Sequence, residues 1–222
     1  MRRMISAWVA VIAVLSLTGT AFAAKKWTGS VEGGMALPSG DFGSSDKIDA
    51  GAGWNLGGSV DYLYRDDLAF GLDGSFGQNK GGLQGTTTDL GGGDTQTIDK
   101  DQFNTWNIGG HARYFFPMAS TMPVKWYGLV GAGIYGFNEN ATVTSVVSGV
   151  SSSADFKGTD KRAGMKFGLG GIYWTNPKLG FNGGLDYNIA FLDKDQSPYS
   201  SMSYLGAHVG VTFDIPSGSD QP

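Results

Sequence analysis

The sequence predicts an all-β fold, an eight-stranded antiparallel up-and-down transmembrane β-barrel. Apolar and polar residues alternate with a period of two over eight segments, as they do in strands with one apolar face. The connections between these segments alternate between short and long. Charged residues are only 16% of the chain and 37 of its 222 residues are glycine, against about 25% charged residues and about 7% glycine in ordinary domains.

The composition excludes several other classes of protein. The glycines show no G-X-Y period, which excludes collagen, and an aromatic content of 13% argues against disorder. Because the chain contains no cysteine, it has no disulfide framework and no thiolate for catalysis or metal binding. The net charge of -4 argues against a nucleic-acid partner, which would require a basic stripe.

The N-terminus has the three parts of a secretory signal peptide. Arg2 and Arg3 form the basic start, Ile5 to Leu17 is an apolar run, and Ala21-Phe22-Ala23 fits the small-x-small cleavage rule. The apolar run is too short to span a bilayer, which takes about 20 residues. The predicted division is a signal peptide at 1–23, a barrel at 24–215 and a short tail at 216–222.

Each of the first four segments has an apolar face that alternates with small or polar residues. The segments are Trp27–Leu37, Gly53–Tyr64, Leu68–Phe76 and Phe103–Phe116. Their apolar positions are, in order, Trp27, Val31, Met35 and Leu37; Trp54, Leu56, Val60, Tyr62 and Tyr64; Leu68, Phe70, Leu72 and Phe76; and Trp106, Ile108, Ala112, Tyr114 and Phe116.

The last four segments repeat this pattern, and the seventh does so most clearly. They are Val124–Phe137, Ala163–Trp174, Leu179–Phe191 and Met202–Ile215. In the seventh, Leu185 and Ile189 oppose Asp186 and Asn188. The long, polar connections at 38–52, 77–102, 138–162 and 192–201 are predicted to be extracellular loops, with the N-terminus of the barrel in the periplasm.

The character of the two faces decides which one meets the lumen. The polar face is mostly Gly, Asn, Ser and Thr, which suit the narrow interior of a small barrel. A soluble barrel would instead carry many charges on its outer face. Aromatics cluster at the strand ends, as in the interfacial girdles of membrane barrels. The predicted membrane-interface aromatics beside the short turns are Trp27, Tyr62, Tyr64, Phe70, Tyr114, Phe116, Trp126, Tyr173, Phe181 and Phe213.

Charged residues on the polar faces are predicted to form a network in the lumen. Its members are Glu32, Asp61, Asp73, His111, Arg113, Lys125, Lys166, Asp186 and His208. Strand order pairs Glu32 with His208, Asp73 with His111 or Arg113, and Asp186 with Lys166. A structural salt-bridge network is favoured, because buried charges require partners. A narrow ion path is the alternative.

Three stretches resemble the eight-stranded outer-membrane barrels of Gram-negative bacteria, the group of OmpX-type proteins and the OmpA barrel. They are Gly33–Phe42, Gly57–Tyr62 and the closing Val209–Phe213, although nine residues follow Phe213 where the family's assembly signal normally ends. The resemblance implies a location in the cell outer membrane. It also implies contacts with outer-membrane lipid, with lipopolysaccharide and with the barrel-assembly machinery.

No residue pattern points to an enzyme, a cofactor or a metal site. Neither histidine has a serine at the spacing of outer-membrane lipid A deacylases, and a nucleophile needs a base within reach. The predicted function is therefore structural, with binding of an unknown surface ligand through the extracellular loops. Two alternatives remain open: a narrow channel for ions or small solutes, and a secreted soluble ligand-binding barrel.

Overall fold

The computed structural model describes residues 27–45, 49–117, 124–191 and 201–215. The predicted signal peptide and C-terminal tail lie outside these residues. The described strands are β1 Trp27–Ser39, β2 Ala50–Arg65, β3 Leu68–Gly81, β4 Thr87–Gly91, β5 Asp94–Phe115, β6 Val124–Val147, β7 Val150–Asn176, β8 Leu179–Phe191 and β9 Ser201–Ile215. A single 3₁₀ turn, η1, covers Gly40–Phe42. Among the described residues, no helix is long and apolar enough to cross a membrane.

Eight of the strands form one closed antiparallel ring, as the sequence predicts. The order is β3-β2-β1-β9-β8-β7-β6-β5, and pairing of β3 with β5 completes the ring. The first and last strands pair from Trp27↔Ile215 to Ser39↔Ser203. Closure matters because every strand of the ring then has two neighbours, which leaves no free edge inside a membrane.

The predicted orientation of the two faces is confirmed. Leu185 and Val209 are 54% and 72% exposed on the outer surface. Asp61, by contrast, is 3% exposed, and Asp73 and Asp186 also face the lumen. An outer surface of aliphatic side chains around a polar interior contradicts the soluble-barrel alternative, in which the apolar face would fill the middle.

The long connections contain more regular structure than the sequence predicts. Stretches 77–102 and 138–162 were expected to be loops, yet β5, β6 and β7 run through them, and β4 pairs with β5 at Thr87↔Thr97. Away from the barrel, both faces of this sheet are largely exposed, so the alternation of apolar and polar residues fades although β-forming Thr and Val remain. We call β4 and the parts of β3 and β5–β7 within these stretches the extension.

Cross-strand hydroxyl contacts hold the extension together. Thr87 and Thr97 lie 3.0 Å apart, Thr144 and Ser153 lie 2.7 Å apart, and the Thr142 hydroxyl donates to Asp155 at 2.9 Å. Pairs of this kind each stabilise a sheet by about 0.2–1 kcal/mol. The extension is therefore a sheet continuous with the barrel wall.

Candidate functional site

The lumen brings together most of the charged residues of the ring, and His111 lies at the centre of the first group. Its two ring nitrogens lie 2.7 Å from Asp61 and 2.9 Å from Asp73. In the strand register Gly71 separates His111 from Asp61. A Cβ on Gly71 would come within 2.8 Å of both side chains. The glycine therefore makes room for a contact that skips one strand.

Arg113 completes this first group on the side of the short turns. Its guanidinium lies 3.3 Å from Asp61 and 4.5 Å from the ring centroid of Tyr127. Asp61 also accepts a hydrogen bond from the Ser59 hydroxyl at 3.1 Å. The buried carboxylate thus has three polar partners, as burial of a charge requires.

Lys166 joins opposite walls of the barrel. The sequence paired it with Asp186 on the neighbouring strand, but its ammonium group donates to Asp73 across the lumen. In the register Lys166 faces Asn188, and the Asn188 amide donates to Asp186 at 2.8 Å. The long lysine side chain spans the narrow lumen, which strand order alone does not reveal.

His208 organises a second group. Its ring lies 2.8 Å from Asp186 and 3.5 Å from Glu32, the partner expected from the sequence. Its register neighbours are Gly34 and Gly184. Like His111, this imidazole has glycines on both sides. The carboxylates that His208 contacts lie diagonally on the two adjacent strands.

Lys125 is the exception among the nine residues predicted to form the lumen network. It lies at the second position of β6, beside the short-turn end, and it is exposed. A lysine at the mouth of the barrel reaches water easily, so it has no need of a partner inside. The other eight residues line the lumen.

Neutral side chains fill the space around the charged groups. The Asn107 amide donates to the Ser75 hydroxyl at 2.5 Å, and the Tyr135 hydroxyl donates to Asn188 at 3.2 Å. Near the short turns, the Thr212 hydroxyl lies 2.9 Å from Ser30 and accepts from the Asn182 amide. The lumen is thus cross-linked by hydrogen bonds along much of its length.

An apolar plug at the extension end was not foreseen from the sequence. The η1 turn folds inward and buries Phe42 completely, with edge-to-face contacts to Phe103 at 5.6 Å and Phe137 at 6.1 Å. Phe103 and Phe137 occupy lumen-facing positions of their strands, which a strict reading of polar alternation could have flagged. The buried residues of the plug are Phe42, Ala50, Phe103, Tyr135, Phe137, Ala190 and Met202.

The lumen contains small cavities among its polar side chains. One of about 20 Å³ lies among His111, Lys166 and His208, and one of about 10 Å³ lies beside Asn107 and Tyr135. A single water needs roughly 10–15 Å³ by the same measure. Neither cavity offers a continuous path for an ion with its hydration shell.

Two inward-facing acids lie beyond the plug, outside the lipid-facing band. Asp101 is 5% exposed and accepts a hydrogen bond from the Leu83 amide at 3.3 Å. Burial raises the pKa of the Asp101 carboxyl, and the Asp49 carboxylate adds to the rise. Burial likewise raises the pKa of Glu139, with a further contribution from Asp101.

The predicted interface aromatics lie on the outer wall near the short turns. Trp27 and Tyr62 are register partners with ring centroids 5.0 Å apart, and Tyr114 contacts Phe116 edge-on at 5.9 Å. On the opposite side of the band, Trp54 and Phe76 form a similar pair on adjacent strands. We propose that these rings lie at the two membrane interfaces, where amphipathic aromatics are favoured.

The charged side chains of the lumen contact one another as ion pairs. Within the described residues, the side-chain partners found for both histidines are carboxylates, and no serine hydroxyl takes the nucleophile's place beside them. The same residues contain no group of three acidic or imidazole side chains suited to a metal ion. The arrangement can bind charge internally and can hold single water molecules.

Comparison with known proteins identifies related chains. A family model described as "Outer membrane protein beta-barrel domain" matches residues 9–214. Among solved structures, Neisserial surface protein A superposes with a TM-score of 0.51 at 18% identity, covering 87% of this chain and 100% of that one. OprG from Pseudomonas aeruginosa gives 0.51 at 13% identity, covering 87% and 98%. Among curated proteins, none matches significantly.

Proposed function

The chain belongs to the outer membrane protein beta-barrel family, a Gram-negative outer-membrane family, and from this premise we propose that it is a sealed scaffold for surface contacts. In this proposal the barrel stabilises the membrane and holds the extension outside the cell. The extension then contacts a surface ligand whose identity is unknown. Recognition usually lies on exposed segments that a rigid framework positions.

The continuity of β6 and β7 is the observation that carries this proposal. Their pairing runs without a register shift from Val124↔Tyr173 at the short-turn end to Val147↔Val150 at the tip. A long structureless loop would lose conformational entropy on binding, whereas a preformed sheet has already lost it. Exposed apolar side chains of β7, including Val150 at the tip at 70% exposure and Phe156 further down the strand at 58%, offer contact area.

The narrow-channel alternative receives less support. The buried plug around Phe42 lies on the axis that an ion would follow, and the charged groups below it are paired. An eight-stranded barrel is only wide enough for its own side chains. For an ion to pass, the plug would have to move aside and the ion pairs below it would have to break at the same time.

We also propose that β9 contacts the barrel-assembly machinery before the ring closes. Val209, Val211 and Phe213 form an outward-facing apolar row on this last strand. In the finished barrel the same strand pairs with β1. Surrounding outer-membrane lipid and lipopolysaccharide would then cover the row.

Cell adhesion tests the scaffold proposal. In the trimmed variant, residues 142–155 are replaced by an Asn-Gly turn, which joins strands at a position where they are paired. We expect cells producing the wild-type chain to adhere to epithelial monolayers better than cells with an empty vector, and cells with the trimmed variant to match the vector. The yield of heat-modifiable barrel in the outer membrane should be equal for both proteins.

A substitution at the tip of the full-length sheet shows whether a loss of adhesion comes from removal of the sheet or from any change at its tip. Ser148 has a φ of 51° and precedes Gly149 at 78° in the β6–β7 turn. Ser148→Asn suits this turn, because Asn tolerates positive φ, and it should adhere like the wild type. Adhesion of the trimmed variant at the wild-type level, or wild-type adhesion no better than the vector, would refute the proposal.

A further inference from the structure

Near the plug, most charged residues of the extension are divided by sign between its two faces, apart from Arg162, which pairs with Asp160 at 3.1 Å on the lumen side. At alternate positions Asp101, Glu139 and Asp160 lie on the side that continues the lumen wall, next to the plug residues. The basic residues Lys80 and Lys157 occupy the opposite, outward positions. Although the chain carries a net charge of -4, its outward face is therefore locally basic here.

One row of paired positions concentrates these outward groups. In the register Lys80 pairs with Gln102, Gln102 with Asn140, and Asn140 with Lys157. We call these four residues the cationic row. Its ends are three strand spacings apart, about 14 Å. Two ammonium groups thus flank two amides, which both donate and accept hydrogen bonds.

The neighbouring rows on the membrane side link the cationic row to the lipid-facing band. Directly below it, the Gln78 amide donates to Asn104 at 2.9 Å. Below that, Lys161 lies 5.7 Å from the ring centroid of Trp106. Gly136 stands between them in the register, and a Cβ there would lie 2.0 Å from the indole. The indole therefore lies flat against the wall at the upper edge of the band.

The lysines of the cationic row are available to an external anion. Lys80 and Lys157 are exposed, and the ion pairs found among the described residues do not include them. The nearest outward acid in the register is Asp155, which accepts a hydrogen bond from Thr142. An anion reaching the row would meet donors before it met a carboxylate.

From this geometry we propose that the cationic row binds the phosphorylated sugar headgroup of an outer-leaflet glycolipid. The ammonium groups would contact phosphates at the two ends of a disaccharide, while Gln102 and Asn140 would bind its hydroxyl groups. Acyl chains would run down the aliphatic wall below Trp106. Because the row is continuous with the membrane-facing surface, a membrane lipid can reach it without leaving the bilayer. The proposal rests on membrane placement and not on adhesion by the extension.

Retention of lipid by the purified full-length barrel tests this site. The protein is equilibrated in mixed micelles with diphosphorylated lipid A, and bound lipid is counted by native mass spectrometry. We expect Lys80→Gln with Lys157→Gln to lower retention about tenfold, since each lysine near a membrane surface contributes appreciably to binding of anionic lipid. The double variant Lys125→Gln with Lys178→Gln removes two exposed lysines near the short turns and should retain lipid like the wild type.

Two further arms identify the chemistry. Dephosphorylated lipid A should bind the wild type about tenfold more weakly, because the ammonium–phosphate contacts are lost. Phosphatidylglycerol should also be retained weakly, since it lacks the disaccharide. The proposal would be overturned if the wild type retained dephosphorylated lipid A or phosphatidylglycerol as well as it retains diphosphorylated lipid A. It would also be overturned if the Lys80/Lys157 variant retained diphosphorylated lipid A as well as the wild type does. Both substitutions leave the hairpin tips intact, so adhesion should persist even where lipid binding fails.

Discussion

The middle of the lumen and the end next to the extension are filled in opposite ways. Around His111 and His208 the barrel buries charges, each with a partner on another strand. Around Phe42 it buries aromatic rings with no charge among them. The first arrangement depends on complete pairing, because a buried charge without a partner is costly. The second depends on shape, because packing fails when volume is lost.

Among substitutions in these two regions, removal of one buried carboxylate should lower the free energy of unfolding most. Asp73→Ala leaves His111 and Lys166 without a shared partner in the lumen. We expect the free energy of unfolding to fall by about 4 kcal/mol, as found when buried ion pairs lose one member. Urea unfolding in lipid vesicles, followed by tryptophan fluorescence, measures it.

Two controls show whether charge is the cause. Asp73→Leu combined with Lys166→Met removes both ends of the ion pair and should recover much of the loss, since the ammonium group no longer lacks a partner. Asp67→Asn breaks the exposed pair with Arg65 and should cost about 0–1 kcal/mol. If the double variant is no more stable than Asp73→Ala, the loss of stability does not come from leaving a buried charge without a partner.

Truncation in the plug should cost slightly less. Phe42→Ala removes a fully buried ring and its two edge-to-face contacts. We expect a loss of about 3 kcal/mol, within the range for buried Phe→Ala changes, measured by the same unfolding experiment. Phe42→Leu keeps most of the volume and should lose only about 1 kcal/mol. A loss near zero for the alanine variant would mean that η1 does not dock into the lumen.

The smallest expected effect on stability comes from the ionisation of Asp101, at the border between the plug and the extension. Because the folded-state pKa of Asp101 is raised, the folded state holds its proton more tightly than the unfolded state does. The stability that protonated Asp101 contributes is fully present below the pKa of this carboxyl in the unfolded chain. It is lost as pH rises through the pKa of the carboxyl in the folded chain. Hydrogen exchange of the Leu83 amide, corrected for its intrinsic rate, should be slower at about pH 4 than at about pH 7.

Asp101→Asn provides the comparison for this pH effect. Its amide oxygen still accepts from Leu83, but it carries no charge to repel Glu139 or Asp49. Protection should then vary less with pH than in the wild type. An unchanged pH dependence in Asp101→Asn would assign the effect to other groups.

Period-two alternation was enough to predict the ring because a membrane barrel imposes it on every strand. Leu185, Asp186 and Val209 therefore took their predicted sides. The partner of Lys166 was missed because it lies across the lumen, and register relates only adjacent strands. The plug was missed because Phe42 follows the end of β1, where alternation no longer applies.

Conductance across a planar bilayer tests most directly whether the barrel is sealed. The wild-type protein, inserted at known density, should give no lasting discrete openings, because paired charges and the Phe42 plug fill its lumen. Regular openings that change in size when Lys166 or Glu32 is substituted would contradict a closed scaffold and support an ion path through the lumen.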